Sequence, residues 1–267
     1  MNKISDAITE IYRINSENER GTIINKVHPL SKLLLTILYI VIVVSFDKYD
    51  LKGISSMIIY PLISMILYDI SIRNCFKRLR PVFIIVCAVG IVNPFLDRRV
   101  VCDLFGITIT SGLISMLTLM LKGSFAVMAS YILIITTSIE KICYSLRLLH
   151  VPKIIVSVIL FIYRYNVVLL RETEKLINAY ELRAPREKGI RFEVWGSLAG
   201  MLLLRSMDRA EEVYESMTLR GYNGEYYIKN EESYLIYSIL YFTIWTGVIF
   251  LFRFIPIFEA VGRIFVR

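Results

Sequence analysis

The sequence predicts an all-α, polytopic membrane protein: about five transmembrane helices plus two long amphipathic helices on the cytoplasmic side. Three observations predict it. The 267 residues are 56% hydrophobic and only 20% charged, with a mean hydropathy of +0.59; a soluble domain is usually about 45–50% apolar and about 25% charged. Apolar runs of near-spanning length recur along the chain, separated by basic segments. Residues 139–233 instead mix apolar and charged positions with the 3.6-residue period of a surface helix.

Residues 1–29 lack the continuous apolar core and cleavage site of a signal peptide. The first span is expected over Leu33–Phe46, preceded by Lys26, His28 and Lys32. The second covers Gly53–Tyr68, interrupted by Pro61, and the third Pro81–Leu96. Each falls short of about 20 residues, so flanking Lys and Arg must snorkel or the bilayer must thin. Asn93-Pro94 reads as a helix stop and His28-Pro29 as an entry turn.

Between Asp103 and Glu140 the only charge is Lys122. Splitting there leaves Ile109–Leu121, too short to cross, so one long helix over Thr110–Ser138 is expected, about 42 Å at 1.5 Å per residue. Gly112 and Gly123 permit close packing. Lys122 is then an intramembrane charge, either functional or facing a polar crevice between helices. The last span, Tyr234–Phe252, carries no charge.

Most of the 31 Lys and Arg fall in 1–29, 70–80 and 139–233. The positive-inside rule therefore places the N-terminus in the cytoplasm. The net charge of +8 reflects these loops, and no nucleic-acid partner is expected. The C-terminal Arg253, Arg263 and Arg267 run against the rule, which leaves a surface-lying tail as an alternative. The expected organisation is a single membrane domain, 1–267, with 139–233 as a cytoplasmic region between the fourth and fifth spans.

That region is too charged for spans and too apolar for a solvated loop. Over 164–183, Arg164, Arg171, Lys175 and Asn178 project to one side, and Tyr165, Leu169, Leu176 and Tyr180 to the other. This helix opens near Pro152, a residue suited to a first turn. A second helix starts near Phe192. Its stripe is Leu203, Met207, Ala210, Tyr214 and Met217, with Arg205, Asp208, Arg209, Glu211, Glu212 and Glu215 on other faces. Arg205, Arg209 and Glu212 are spaced for a ladder along the helix. Gly221 after Arg220 signals its end, and Ala184–Gly189 is a turn-rich linker. The helices thus end near Arg183 and Arg220. A stripe tipped by charge suits docking into a partner's groove; lying on the membrane surface is the alternative.

Catalytic patterns are absent. The chain has no G-x-x-x-x-G-K-[ST], no H-E-x-x-H and no G-x-S-x-G, so it is not expected to hydrolyse ATP or to be an enzyme. Cys75, Cys87, Cys102 and Cys143 are scattered, and His28 and His150 are the only histidines; neither a disulfide framework nor a metal or cofactor site follows.

The run Ser197–Glu212, with Arg205-Ser206-Met207-Asp208-Arg209-Ala210-Glu211-Glu212, continues into Glu215–Tyr222. It resembles the transmembrane T component of energy-coupling-factor importers, the ATP-driven micronutrient uptake systems of prokaryotes. His28–Lys32, Asn93-Pro94-Phe95, Thr136-Thr137, Val151-Pro152 and Tyr163-Arg164-Tyr165 extend the resemblance over nearly the whole chain. The family ends each coupling helix with an Ala-Arg-Gly-like motif. Leu219-Arg220-Gly221 matches with Leu for Ala; Leu182-Arg183-Ala184 departs at both flanks and is followed by Pro185, with Arg186 as a competing arginine.

The resemblance implies that Arg183 and Arg220 dock into two ATP-binding cassette ATPase subunits, supported by Arg205, Asp208, Arg209 and Glu212. It implies a separate substrate-binding membrane subunit and residence in a prokaryotic cell membrane. The Arg-Ser-x-Asp-Arg-Ala-Glu block is most similar to the branch serving cobalt or nickel. A vitamin importer's T component, a lipid-phosphate enzyme and a self-sufficient secondary transporter are the alternatives. The last should show internal repeats and midplane charges; no repeat is apparent.

Overall fold

The computed structural model describes residues 9, 27–96, 100–104, 107–185, 189–224 and 235–254. The competing Arg186 and the C-terminal tail lie outside the described residues. The described chain is helical apart from one short hairpin, and it divides into two units. Among the described residues, one unit comprises those within 27–137 and 235–254; the other comprises residue 9 and those within 138–224.

In the first unit, α1 runs Pro29–Val44. Pro29 stands at its first position, and His28 caps it by accepting from the Leu30 amide through Nδ1 at 3.2 Å, the arrangement expected where an N–H would be unsatisfied anyway. The second apolar run forms two short helices, α2 (Leu51–Ser56) and α3 (Ile59–Leu67), broken at Met57. Pro61 thus lies in the first turn of α3 instead of interrupting a longer helix. The buried Tyr39 hydroxyl donates to the Met57 carbonyl at 2.9 Å, satisfying a backbone group at the break.

Helix α4 spans Ile72–Leu96 and corrects two expectations. The basic segment 72–80 is helical, not a loop: Arg and Lys are good helix formers, and Arg73, Lys77 and Arg80 are exposed. Asn93-Pro94 does not stop the helix either, since both Pro81 and Pro94 lie inside it. A hairpin unforeseen in the sequence follows, β1 (Val100–Leu104) antiparallel to β2 (Ile107–Thr110), with Leu104 opposite Ile107 and a register shift between Val100 and Cys102.

Helix α5, Ser111–Thr136, is the single long helix expected. At 26 residues it is about 39 Å long. Its most extensive partner is α4. The approach is tight at Gly123, where an added Cβ would lie 2.8 Å from Val86 Cγ1. Helix α9, Leu235–Phe254, packs with α1 and α2. Tyr39, Tyr60, Phe125 and Trp245 build the centre, with Tyr60 edge-on to Trp245 at 5.0 Å between centroids.

The second unit contains α6 (Ile139–Leu148), α7 (Lys153–Arg183) and α8 (Phe192–Leu219). Three described helices are long and apolar enough to cross a membrane: α5, α7 and α9, with shorter apolar helices over Pro29–Val44, Gly53–Leu67 and Arg80–Val92. Helix α7 qualifies by length and composition alone, through an apolar first half within a region that reads as too charged for spans. Its charges gather after Leu170, leaving only Lys153 and Arg164 over 153–170.

Candidate functional site

The candidate site is the α7–α8 pair. Helix α6 ends with His150 in the left-handed region (φ 62°), where the His150 amide bonds the Arg147 carbonyl and Val151 the Leu146 carbonyl. These crossed bonds close a helix whose last carbonyls would otherwise be orphaned. Pro152 then caps α7, one position before the expected first turn. Cys143, Val156 and Leu160 bury the contact between α6 and α7, and Arg164 pairs with Glu140 at 3.2 Å.

Helix α8 has 28 residues and none of them is buried. The expected stripe is present and open: Leu203, Met207, Ala210 and Tyr214 are exposed, and Met217 is half-buried. An amphipathic helix normally hides its apolar stripe against a core; this one presents it outward.

The two tips reach similar chemistry by different stops. Arg220 is the C-cap of α8, and Gly221 follows at φ 82°. The Gly221 amide bonds the Thr218 carbonyl and Tyr222 the Met217 carbonyl, both at 2.9 Å. Glycine carries no Cβ penalty in that conformation. At the other tip Arg183 ends α7 and Ala184 caps it at φ −126°, its amide on the Tyr180 carbonyl at 3.0 Å. Pro185 offers no N–H to continue the ladder. Both arginines are exposed, each behind an open leucine: Leu182 is 83% and Leu219 89% exposed.

The expected ladder along α8 forms only in part. Arg209 pairs with Glu212 at 2.9 Å, but Arg205 reaches across to Glu172 on α7 at 3.2 Å. Glu172 was missed by the sequence reading because helical spacing identifies neighbours on one helix and not on the facing one. Lys175 beside it, at 2.6 Å, and then Arg205 hold its carboxyl below the usual carboxylate range. Asp208 is exposed on α8.

Near the Arg220 tip the helices enclose an open cleft of about 680 Å³, lined among others by Arg164, Tyr165, Arg209, Glu212, Arg220 and Tyr222. Tyr222 returns from the glycine stop to pack edge-on against Phe161, 6.3 Å between centroids. The cleft joins guanidinium groups to aromatic faces, a lining suited to an acidic or amphipathic protein element.

Lys122 lies in the other unit, with its charge on backbone carbonyls. Its ammonium donates to Val44 at 3.1 Å and to Phe46, at the end of α1. Arg253 of α9 donates to Ser45 between them at 3.4 Å and lies over the Phe46 ring at 4.1 Å. Among the described residues, no group of three or more His, Cys, Asp or Glu is placed to hold a metal ion.

A family model described as CbiQ, cobalt transport protein, matches residues 20–234. The chain is 27% identical over 217 residues to the energy-coupling factor transporter transmembrane protein EcfT of Clostridium kluyveri, covering 75% of this chain and 80% of that one. It is 26% identical over 246 residues to the EcfT of Lactococcus lactis, covering 84% and 92%. The nickel permease LarQ of Lactiplantibacillus plantarum is 29% identical over 92 residues, 34% of each chain.

Proposed function

The chain belongs to the CbiQ family of cobalt transport proteins and is a transmembrane component of an energy-coupling-factor transporter; from that premise we propose that α7 and α8 are its coupling helices. In this reading two ATP-binding cassette ATPases dock on them, one at each arginine tip. Their nucleotide-driven movement passes through the helix pair to a separate substrate-binding membrane subunit. The chain itself is not a catalyst, and the N-terminus and coupling helices face the cytoplasm.

The observation that carries this reading is α8, whose 28 residues include none that is buried. Leu203, Met207 and Tyr214 are 61%, 54% and 65% exposed, and a partner's groove would cover them. Arg220 sits at a helix C-terminus, where its charge complements the macrodipole, and its fork can bind a partner carboxylate through two bonds. Opposite states of the ATPase pair must grip the helices differently for a stroke to be transmitted.

The cargo we propose is cobalt or nickel, supported by the family description and by LarQ. The EcfT relatives carry no cargo in their names, and a vitamin cargo is the second reading. The test is the double substitution Arg183→Glu and Arg220→Glu in the co-expressed complex. Loss of ATPase co-purification, or of uptake with ATPases retained, is expected. Unchanged assembly and transport would refute the assigned roles.

A further inference from the structure

At one end of the bundle unit a lysine is buried where it has every reason to reach water. Lys32 lies in the first turn of α1 and is 5% exposed. Lysines so close to a helix end normally snorkel to the surface. Here the ammonium donates to the carbonyl of Thr136 at 3.3 Å and lies 5.2 Å from the centre of the Tyr68 ring. Tyr68 is fixed in turn, its hydroxyl donating to that of Tyr241 at 3.3 Å.

Thr136 is the last residue of α5, and beyond Thr137 the chain enters the unit holding α7 and α8. The last carbonyls of a helix have no partner within it and its last turn frays readily. An ammonium there satisfies one carbonyl and opposes the negative end of the macrodipole. The Thr136 hydroxyl adds a bond back to Ile132 at 2.8 Å. The point where the chain leaves the bundle is therefore pinned.

We propose that Lys32 is a positioning residue for energy coupling. It holds the end of α5 rigid, so that movement of the coupling helices is delivered to the bundle and not dissipated in the last turn of α5. This rests on the coupling role proposed above. Lys122 is the natural control, because it makes the same kind of bond at the far end of α1, away from the exit of the chain.

The experiment uses the complete complex in liposomes, without and with ATP, and follows amide exchange across 29–44 and 139–183. In wild type, ATP should change exchange in both segments. Lys32→Met should keep its ATPases, hydrolyse ATP and respond across 139–183, while the response across 29–44 shrinks about tenfold, as expected for a lost charged hydrogen bond. Lys32→Arg should restore it, and Lys122→Met should transmit like wild type. If Lys32→Met does not assemble, Lys32→Gln carries the same readouts. A wild-type response across 29–44 in the Lys32 variant, or equal losses in the Lys32 and Lys122 variants, overturns the inference. A wild-type chain that retains no ATPase overturns the coupling role instead.

Discussion

Lys32 and Lys122 each cap the helix that carries the other. Lys32, on α1, donates to the last residue of α5, while Lys122, on α5, donates to the carbonyls of Val44 and Phe46 at the end of α1. The exchange requires α1 and α5 to run antiparallel. It places a positive charge at each negative helix end, in surroundings where such bonds are stronger than in water.

Lys122→Met should therefore loosen the bundle without stopping transport. Two carbonyls lose their donor, and a bond from a charged group contributes about 1.5–3 kcal/mol. Thermal unfolding in detergent should show the loss. Lys122→Arg should recover most of it. A variant that melts like wild type would remove the capping role.

Gly123→Leu should separate α4 from α5. A Cβ at Gly123 meets Val86 Cγ1 at 2.8 Å, whereas nothing lies within 4 Å of a Cβ at Gly196 on α8. Overpacking of this kind costs about 1–3 kcal/mol. The same melt should fall for Gly123→Leu, stay level for Gly196→Leu, and recover in part when Val86→Ala is added. Equal effects at the two glycines would contradict the packing.

Gly221→Val should blunt the Arg220 tip without removing the arginine. A φ of 82° costs an L-residue about 1–2 kcal/mol, more when it is β-branched. The bonds to Thr218 and Met217 should open, faster amide exchange should appear over 217–222, and ATPase retention should weaken. Retention at wild-type strength with the faster exchange would separate the tip's geometry from docking.

The Glu172–Arg205 bridge should respond to acid and not to neutral pH. Glu172 has a lowered folded pKa. Its contribution is complete above the ordinary carboxylate value and disappears as pH falls through the lower folded value. The exchange protection of α8 should stay flat between about pH 6 and pH 8 and decline in the acid range. Glu172→Gln should remove that decline, while swapping the charges with Glu172→Arg and Arg205→Glu should restore protection. An unchanged acid profile in Glu172→Gln would assign the decline to another carboxylate.

Much of the candidate site was legible because it depends on local rules. The stripe Leu203, Met207, Tyr214 and the stop at Arg220-Gly221 follow from helical period and glycine conformation. So does the end of α7 before Pro185. Helix α5 was legible because a lone Lys122 could not divide it into two spans. What escaped was set by environment or distance in sequence. The early start of α4 was hidden by basic residues that suit helix and loop alike. The hairpin was hidden within β-branched residues flanking the turn, and the apolar half of α7 by the charges that follow it. The Glu172 partner of Arg205 is 33 positions away, beyond the reach of any periodicity.

The exposed apolar stripe of α8 bears on how the chain fares before its companions arrive. A copy without companions leaves the side chains of Leu203, Met207 and Tyr214 open to solvent. Digestion of the chain with and without its companions would show whether covering that stripe protects it.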